Sequence, residues 1–179
     1  MAENQDRSPK DEGIVLTHYL ALSERIIPRV FRAKPEGGWY EPYCPGGIAD
    51  LVLNSGRTYL AQRATAGDTV ASLMAYMAVG TASAASSLTS PSSSVPGEVA
   101  RKATAIASAN PNNVIQFITT FGGFSDSVTS VQLQEAAITN HASSGEGTVY
   151  QRVTFAAVTL ANSDLFSMTM ETVVGSNTI

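Results

Sequence analysis

Glu135 stands in the run VTSVQLQEAAIT (128–139), where it interrupts an alternation of apolar and polar residues. A carboxyl group so placed has two possible uses. It could act as the acid of a hydrolytic pair, which needs a second carboxylate across a cleft. Alternatively it could pair with Arg152 or Arg101 at a strand bulge and so fix the register of a sheet. Further along the chain Glu98, Asp126, Glu146, Asp164 and Glu171 occur singly and mostly beside turns. The structural ion pair Glu135–Arg152 is therefore the favoured reading. Nucleophilic catalysis wants a Ser or Cys near a His held by a carboxylate. Only His18 and His141 exist, one in a predicted helix and one in a glycine–serine turn, and no serine sits in a G-x-S-x-G elbow. No metal-ligand spacing or cofactor motif is visible. Cys44 is the lone cysteine, so no intramolecular disulfide or cysteine zinc site can form. It reads as a small buried apolar group. The expectation is a protein that is not an enzyme and carries no cofactor.

Binding chemistry is richer. The stretch GGWYEPYCPGG (37–47) offers the flat faces of Trp39, Tyr40 and Tyr43. Such rings anchor protein interfaces, stack on sugars, or pin a proline-rich segment onto its own domain. Around them Arg25, Arg29, Arg32 and Lys34 are mixed with Glu24, Glu36 and Glu41, a combination suited to contact with another protein. Trp39, Tyr40, Tyr43, Arg25, Arg29 and Arg32 are the candidate interface residues.

The elements that must position these groups differ between the two ends of the chain. Residues 1–12 read as a solvated tail. Apolar residues recur at three- and four-residue intervals from Leu16 to Phe31, which predicts a helix over 17–27 with Thr17 as N-cap and Pro28 as its break. The stretch 34–47 holds three prolines, four glycines and three aromatics, and reads as an extended connector. Helical spacing returns over 48–63, with Gly56 weakening it. From Leu73 the period changes to two, predicting strands at 73–79, 99–108, 113–121, 129–139, 148–160 and 165–174 with turn clusters between them. The fold class expected is mainly β, an antiparallel β-sandwich or jelly roll (48–179) preceded by a short helical and extended N-terminal arm (1–47).

Charge is spread unevenly. Residues 1–63 hold 8 of the 11 basic and 8 of the 15 acidic residues, whereas residues 64–179 hold the remaining 3 and 7 beside 32 Ser and Thr. A surface so poor in cations offers no basic stripe for phosphates, which argues against nucleic acid as a partner. The longest apolar run falls far short of a membrane span, and MAENQDRSPKDEG lacks the apolar core of a signal peptide. Synthesis in a cytoplasm, with no membrane partner, is the expectation. Between Thr81 and Pro96 the chain is mostly serine, alanine and threonine. Such a loop has no catalytic groups, but it lets backbones approach and costs little to desolvate.

The order of several short motifs carries a resemblance. They are Asn54-Ser55-Gly56-Arg57, Ala78-Val79-Gly80-Thr81, Glu98-Val99-Ala100-Arg101, Thr120-Phe121, Glu135-Ala136-Ala137 and Arg152-Val153-Thr154-Phe155. Over residues 48–175 the chain resembles small β-sandwich structural proteins of tailed double-stranded-DNA bacteriophages. Their pattern usually has Gly after Glu-Ala, where this chain has Ala137. The resemblance implies a non-catalytic virion component, made in the host cytoplasm. Its partners would be a major capsid protein or tail and neck proteins, and its own copies, clustered as a trimer. Capsid decoration and tail or baseplate attachment both fit. A glycan-binding adhesion module using Trp39, Tyr40 and Tyr43, and a wall-degrading enzyme, are the alternatives from other classes.

Overall fold

The computed structural model describes residues 19–43, 51–66, 73–83, 95–109, 114–122, 124 and 130–177. Expectations for Thr17, His18, Cys44, Asp126 and the middle of the serine-rich loop lie outside these residues, as do the side chains of Arg25, Tyr40 and Tyr43. In chain order the elements are β1 Tyr19–Ala33, β2 Trp39–Tyr43, β3 Leu51–Val52, α1 Asn54–Ala66, β4 Tyr76–Gly80, β5 Glu98–Ala103, β6 Ala105–Ala109, β7 Val114–Gly122, β8 Ser130–Thr139, β9 Val149–Ala161 and β10 Leu165–Asn177. They form two five-stranded antiparallel sheets, one ordered β2-β1-β10-β7-β6 and the other β3-β9-β8-β4-β5. The protein is mainly β, and its architecture is that of a β-sandwich.

Alternation of side chains explains why the sheets stack. Phe166, Met168 and Met170 of β10 and Phe117 and Phe121 of β7 are buried, and they share one core with Met77, Leu133, Ile138, Tyr150, Val153 and Leu160 of the other sheet. Rings meet across the interface, Phe117 with Tyr150 at 6.1 Å and Phe155 with Phe166 at 6.0 Å. Burying each such Phe or Met contributes about 1.5–3 kcal/mol, so this inner layer drives the folding of the body.

The helix expected over 17–27 is not formed over its described part; residues 19–27 enter β1. A strand needs a partner where a helix needs none, and β10 supplies one along thirteen paired positions, from Tyr19↔Asn177 to Phe31↔Leu165. The apolar residues that suggested a helical face also satisfy a strand, with Pro28 and Val30 buried and Arg29 exposed between them. Pro28 is tolerated because, among the described residues, β2 pairs with β1 only from Val30 to Ala33, so Pro28 lies on a stretch with β10 as its one neighbour. The connector expected at 34–47 turns at Lys34–Gly38 and then pairs as β2.

Two other expectations are refined. The helical segment begins at Asn54, after a two-residue strand, so Gly56 lies in the first turn rather than at a break. The single strand expected at 99–108 is two strands in different sheets. The chain crosses at Thr104, whose N–H donates to Ala75 O at 2.9 Å and whose hydroxyl donates to Ile118 O at 3.0 Å.

Candidate functional site

Strand register assembles a buried charge cluster on the second sheet. Arg101, Ala78, Ala137 and Arg152 are successive partners across β5, β4, β8 and β9. Two arginines thus share one row, with two alanines between them. Glu98, Gly80 and Glu135 are successive partners in the neighbouring row. Gly80 is required there, because a Cβ would meet the Glu135 carboxylate and approach Gly97 O to 2.9 Å. The alanines belong to a small apolar cluster with Leu53, Val95 and Val149, separate from the main core. The charges therefore lie on the outward face of the sheet, under local cover.

Glu135 reaches that face through an irregularity. Between Leu133↔Val158 and Glu135↔Thr154, β8 advances two residues while β9 advances four. This slip breaks the inward–outward alternation, so Glu135 leaves the core side that Leu133 occupies. Arg152 Nε donates to Glu135 Oε2 at 2.9 Å, Nη2 stands 2.9 Å from the same oxygen, and the Ala82 amide donates to Oε1 at 3.3 Å. The two side chains are 0% and 3% exposed, so the pair is fully withdrawn from water. Burial pushes the Glu135 carboxyl above its ordinary range. The Arg152 hydrogen bond and charge and the Ala82 amide act against that rise, while the Glu98 charge adds to it.

The second pair is a fork on a fork. Arg101 Nε and Nη2 donate to the two oxygens of Glu98 at 2.8 and 2.7 Å. Its remaining nitrogen, Nη1, donates to three carbonyls of the β8–β9 loop, those of His141 (2.9 Å), Ser143 (2.7 Å) and Glu146 (3.2 Å). Such charge-assisted bonds are roughly twice as strong as neutral ones. With the Thr81 amide bonded to Gly97 O at 3.0 Å, the cluster holds both ends of the 81–97 segment and the adjacent hairpin loop together.

The candidate interface residues are placed on the first sheet. Trp39 opens β2 opposite Ala33 and is 49% exposed. Tyr40 and Tyr43 lie at β2 positions opposite Arg32 and Val30, and Arg25 lies opposite Glu171 on β10. Arg29 is exposed on β1 opposite Ser167. Arg32 is engaged within the chain, its Nε 3.3 Å from Asp164 Oδ2. Asp164 is buried and also accepts from the Ala161 amide at 2.9 Å, which closes the β9–β10 turn. His141 lies in the expected turn, where Nδ1 accepts from the Ser143 amide at 3.1 Å and stands 3.2 Å from Glu146. Among the described residues no three His, Cys, Asp or Glu side chains converge as a metal site would require.

Two features escape a reading of the sequence. One is the Arg101 hub, because its carbonyl partners lie about forty residues away. The other is a half-open apolar pocket of about 180 Å³ at one end of the sandwich. Its walls come from α1 (Tyr59, Leu60), the approach to β4 (Leu73, Met74), β6 (Ile106), β7 (Ile115, Phe117) and β9 (Tyr150). Comparison of the chain with family models, curated proteins and solved structures finds no match in any of the three.

Proposed function

We propose that this protein is a non-catalytic structural component of a tailed-phage virion, held among other virion proteins and its own copies. One observation carries the reading. Among the described residues, the few charges of the body are engaged within the chain, several of them buried, while apolar groups are left outside. Glu98, Arg101, Glu135 and Arg152 are withdrawn in pairs, and Asp164 is buried against Arg32. Lys102 donates to Thr120 O and Gln116 to Glu171. Exposed instead are Leu73 (60%), Ile106 (50%), Val99 (45%) and Ile118 (37%). A free monomer gains from dispersed surface charge, whereas a subunit that stays assembled can leave such groups for its neighbours. The paired glutamates also have their carboxylate oxygens satisfied inside the chain, so neither is presented to a substrate.

Gold-conjugated antibody against residues 64–179, applied to purified particles, tests the proposal. Label scattered over heads identifies a capsid decoration protein, and label confined to the tail identifies a tail component. A protein absent from purified particles by mass spectrometry contradicts the proposal.

The exposure of Trp39 favours one second reading, a glycan-binding adhesion module. Trp39→Ala should then abolish binding to host-surface glycan while the protein still enters particles. Failure of the variant to incorporate would favour a docking role for Trp39 instead.

A further inference from the structure

We propose that the open edge of the first sheet, strand β6, is the contact through which two copies of this chain associate, each β6 pairing antiparallel with the other about a two-fold axis. The inference deepens the assembly reading above and rests on it only in supposing that copies associate.

Four strands end the two sheets: β2 and β6 in one, β3 and β5 in the other. Proteins guard such edges against unwanted pairing with charge, proline or extreme shortness. Strand β5 carries Glu98, Arg101 and Lys102, β2 carries Glu41 and Pro42, and β3 is two residues long. Strand β6, AIASA, has neither charge nor proline. Self-pairing about a two-fold axis sets residues equally distant from the axis opposite one another, so a strand without charge meets its own copy with no charged pair in any register. Like charges directly opposite are destabilising. Of the four edges, β6 is the one longer than two residues that carries neither charge nor proline.

Its surroundings suit the same occupant. Where β7 reaches and then passes the end of β6, its carbonyls are closed by side chains, Ile118 O by the Thr104 hydroxyl (3.0 Å) and Thr120 O by Lys102 Nζ (2.9 Å). On β6 the Thr104 hydroxyl also donates to Ala105 O at 3.2 Å, and the outer edge of the strand faces no other strand among the described residues. Ile106 is half exposed at the mouth of the apolar pocket, beside exposed Leu73. Pairing centred on Ala107 continues the pleat, so both copies' Ile106 side chains project from the same face of the joined sheet. Each pocket mouth then gains an apolar neighbour. Strand addition of this kind draws affinity from main-chain hydrogen bonds and specificity from alternate side chains. A two-fold contact gives a dimer rather than the trimer implied by the phage resemblance.

Sedimentation velocity of the full chain over a concentration series tests this. The wild type should show a reversible dimer. Ala107 is exposed, so Ala107→Lys and Ala107→Glu should keep the wild-type melting temperature and circular dichroism. Each alone should weaken self-association by about tenfold or more, because it faces its own charge. Mixing the two variants should restore a dimer, as Lys then faces Glu. A wild type that stays monomeric throughout overturns the proposal. So does a dimer or trimer indifferent to both folded variants. Failure of the particle-labelling experiment leaves this result standing, and a monomer in solution leaves the labelling result standing.

Discussion

Removing the Arg152 side chain would leave the Glu135 carboxylate, which has no exposed surface, with the Ala82 amide as its remaining hydrogen-bond donor. Breaking a buried pair on one side costs about 3–5 kcal/mol. Arg152→Ala should lose that much in urea unfolding at neutral pH, and less in acid, where Glu135 can take up a proton. The wild type has its own pH signature. Burial raises the folded-state pKa of Glu135 above its ordinary value of 4.5, so folding favours the protonated form. Stability from this group is fully present below the unfolded-state value and lost as pH rises through the folded-state value. Wild-type stability should therefore decline through this contribution from just above pH 4.5 upward, and Glu135→Gln should flatten that part of the curve. Unfolding free energies of both proteins across that range check the sign. Glu135 was legible in the sequence because a carboxyl that interrupts an alternating strand has to be accommodated by a partner. Its fork-like neighbour was not, because Glu98 and Arg101 sit in an edge strand whose residues look solvated until the hairpin loop folds over them.

At the scale of elements, α1 is fastened to the sandwich by its first turn. The Leu53 amide donates to Tyr150 O at 3.0 Å, and the Ser55 hydroxyl donates to Val149 O at 2.6 Å. Tyr59 packs edge-on against Tyr150 at 6.4 Å, with the Arg63 guanidinium 5.6 Å from the Tyr59 ring centre. This closeness depends on Gly56, where any Cβ would collide with the Tyr150 carbonyl and ring. Backbone cannot yield as a flexible side chain can. Gly56→Ala should therefore cost about 1–3 kcal/mol, despite the better helix propensity of alanine, and should speed amide exchange in α1 relative to β8 and β9. A glycine within a helical run reads as a break in the sequence; here it is the point of nearest approach between helix and sheet.

For the whole molecule, the prediction is a location: antibody against residues 64–179 should mark the particle surface, on head or tail. The sequence leads one to expect a molecular surface poor in charge and rich in hydroxyls, and the fold withdraws four of the body's charges, Glu98, Arg101, Glu135 and Arg152, in two buried pairs. The period-two segments from Leu73 onward and the turn clusters between them determined a mainly β sandwich by themselves, since alternation states which side chains face a core whatever the partner strand is. Tertiary structure decided the rest. Residues 17–27 carry a spacing compatible with helix, and only β10, nearly a whole chain length away in sequence, supplies the hydrogen-bonding partner that makes β1 a strand. The row of Arg101, Ala78, Ala137 and Arg152 likewise exists only once three separate strand pairings have set their registers. Local sequence specifies what each residue prefers to face. The identity of the residue that faces it comes from pairings between distant segments, and those pairings form the buried charge cluster and, among the described residues, leave β6 at the edge of its sheet.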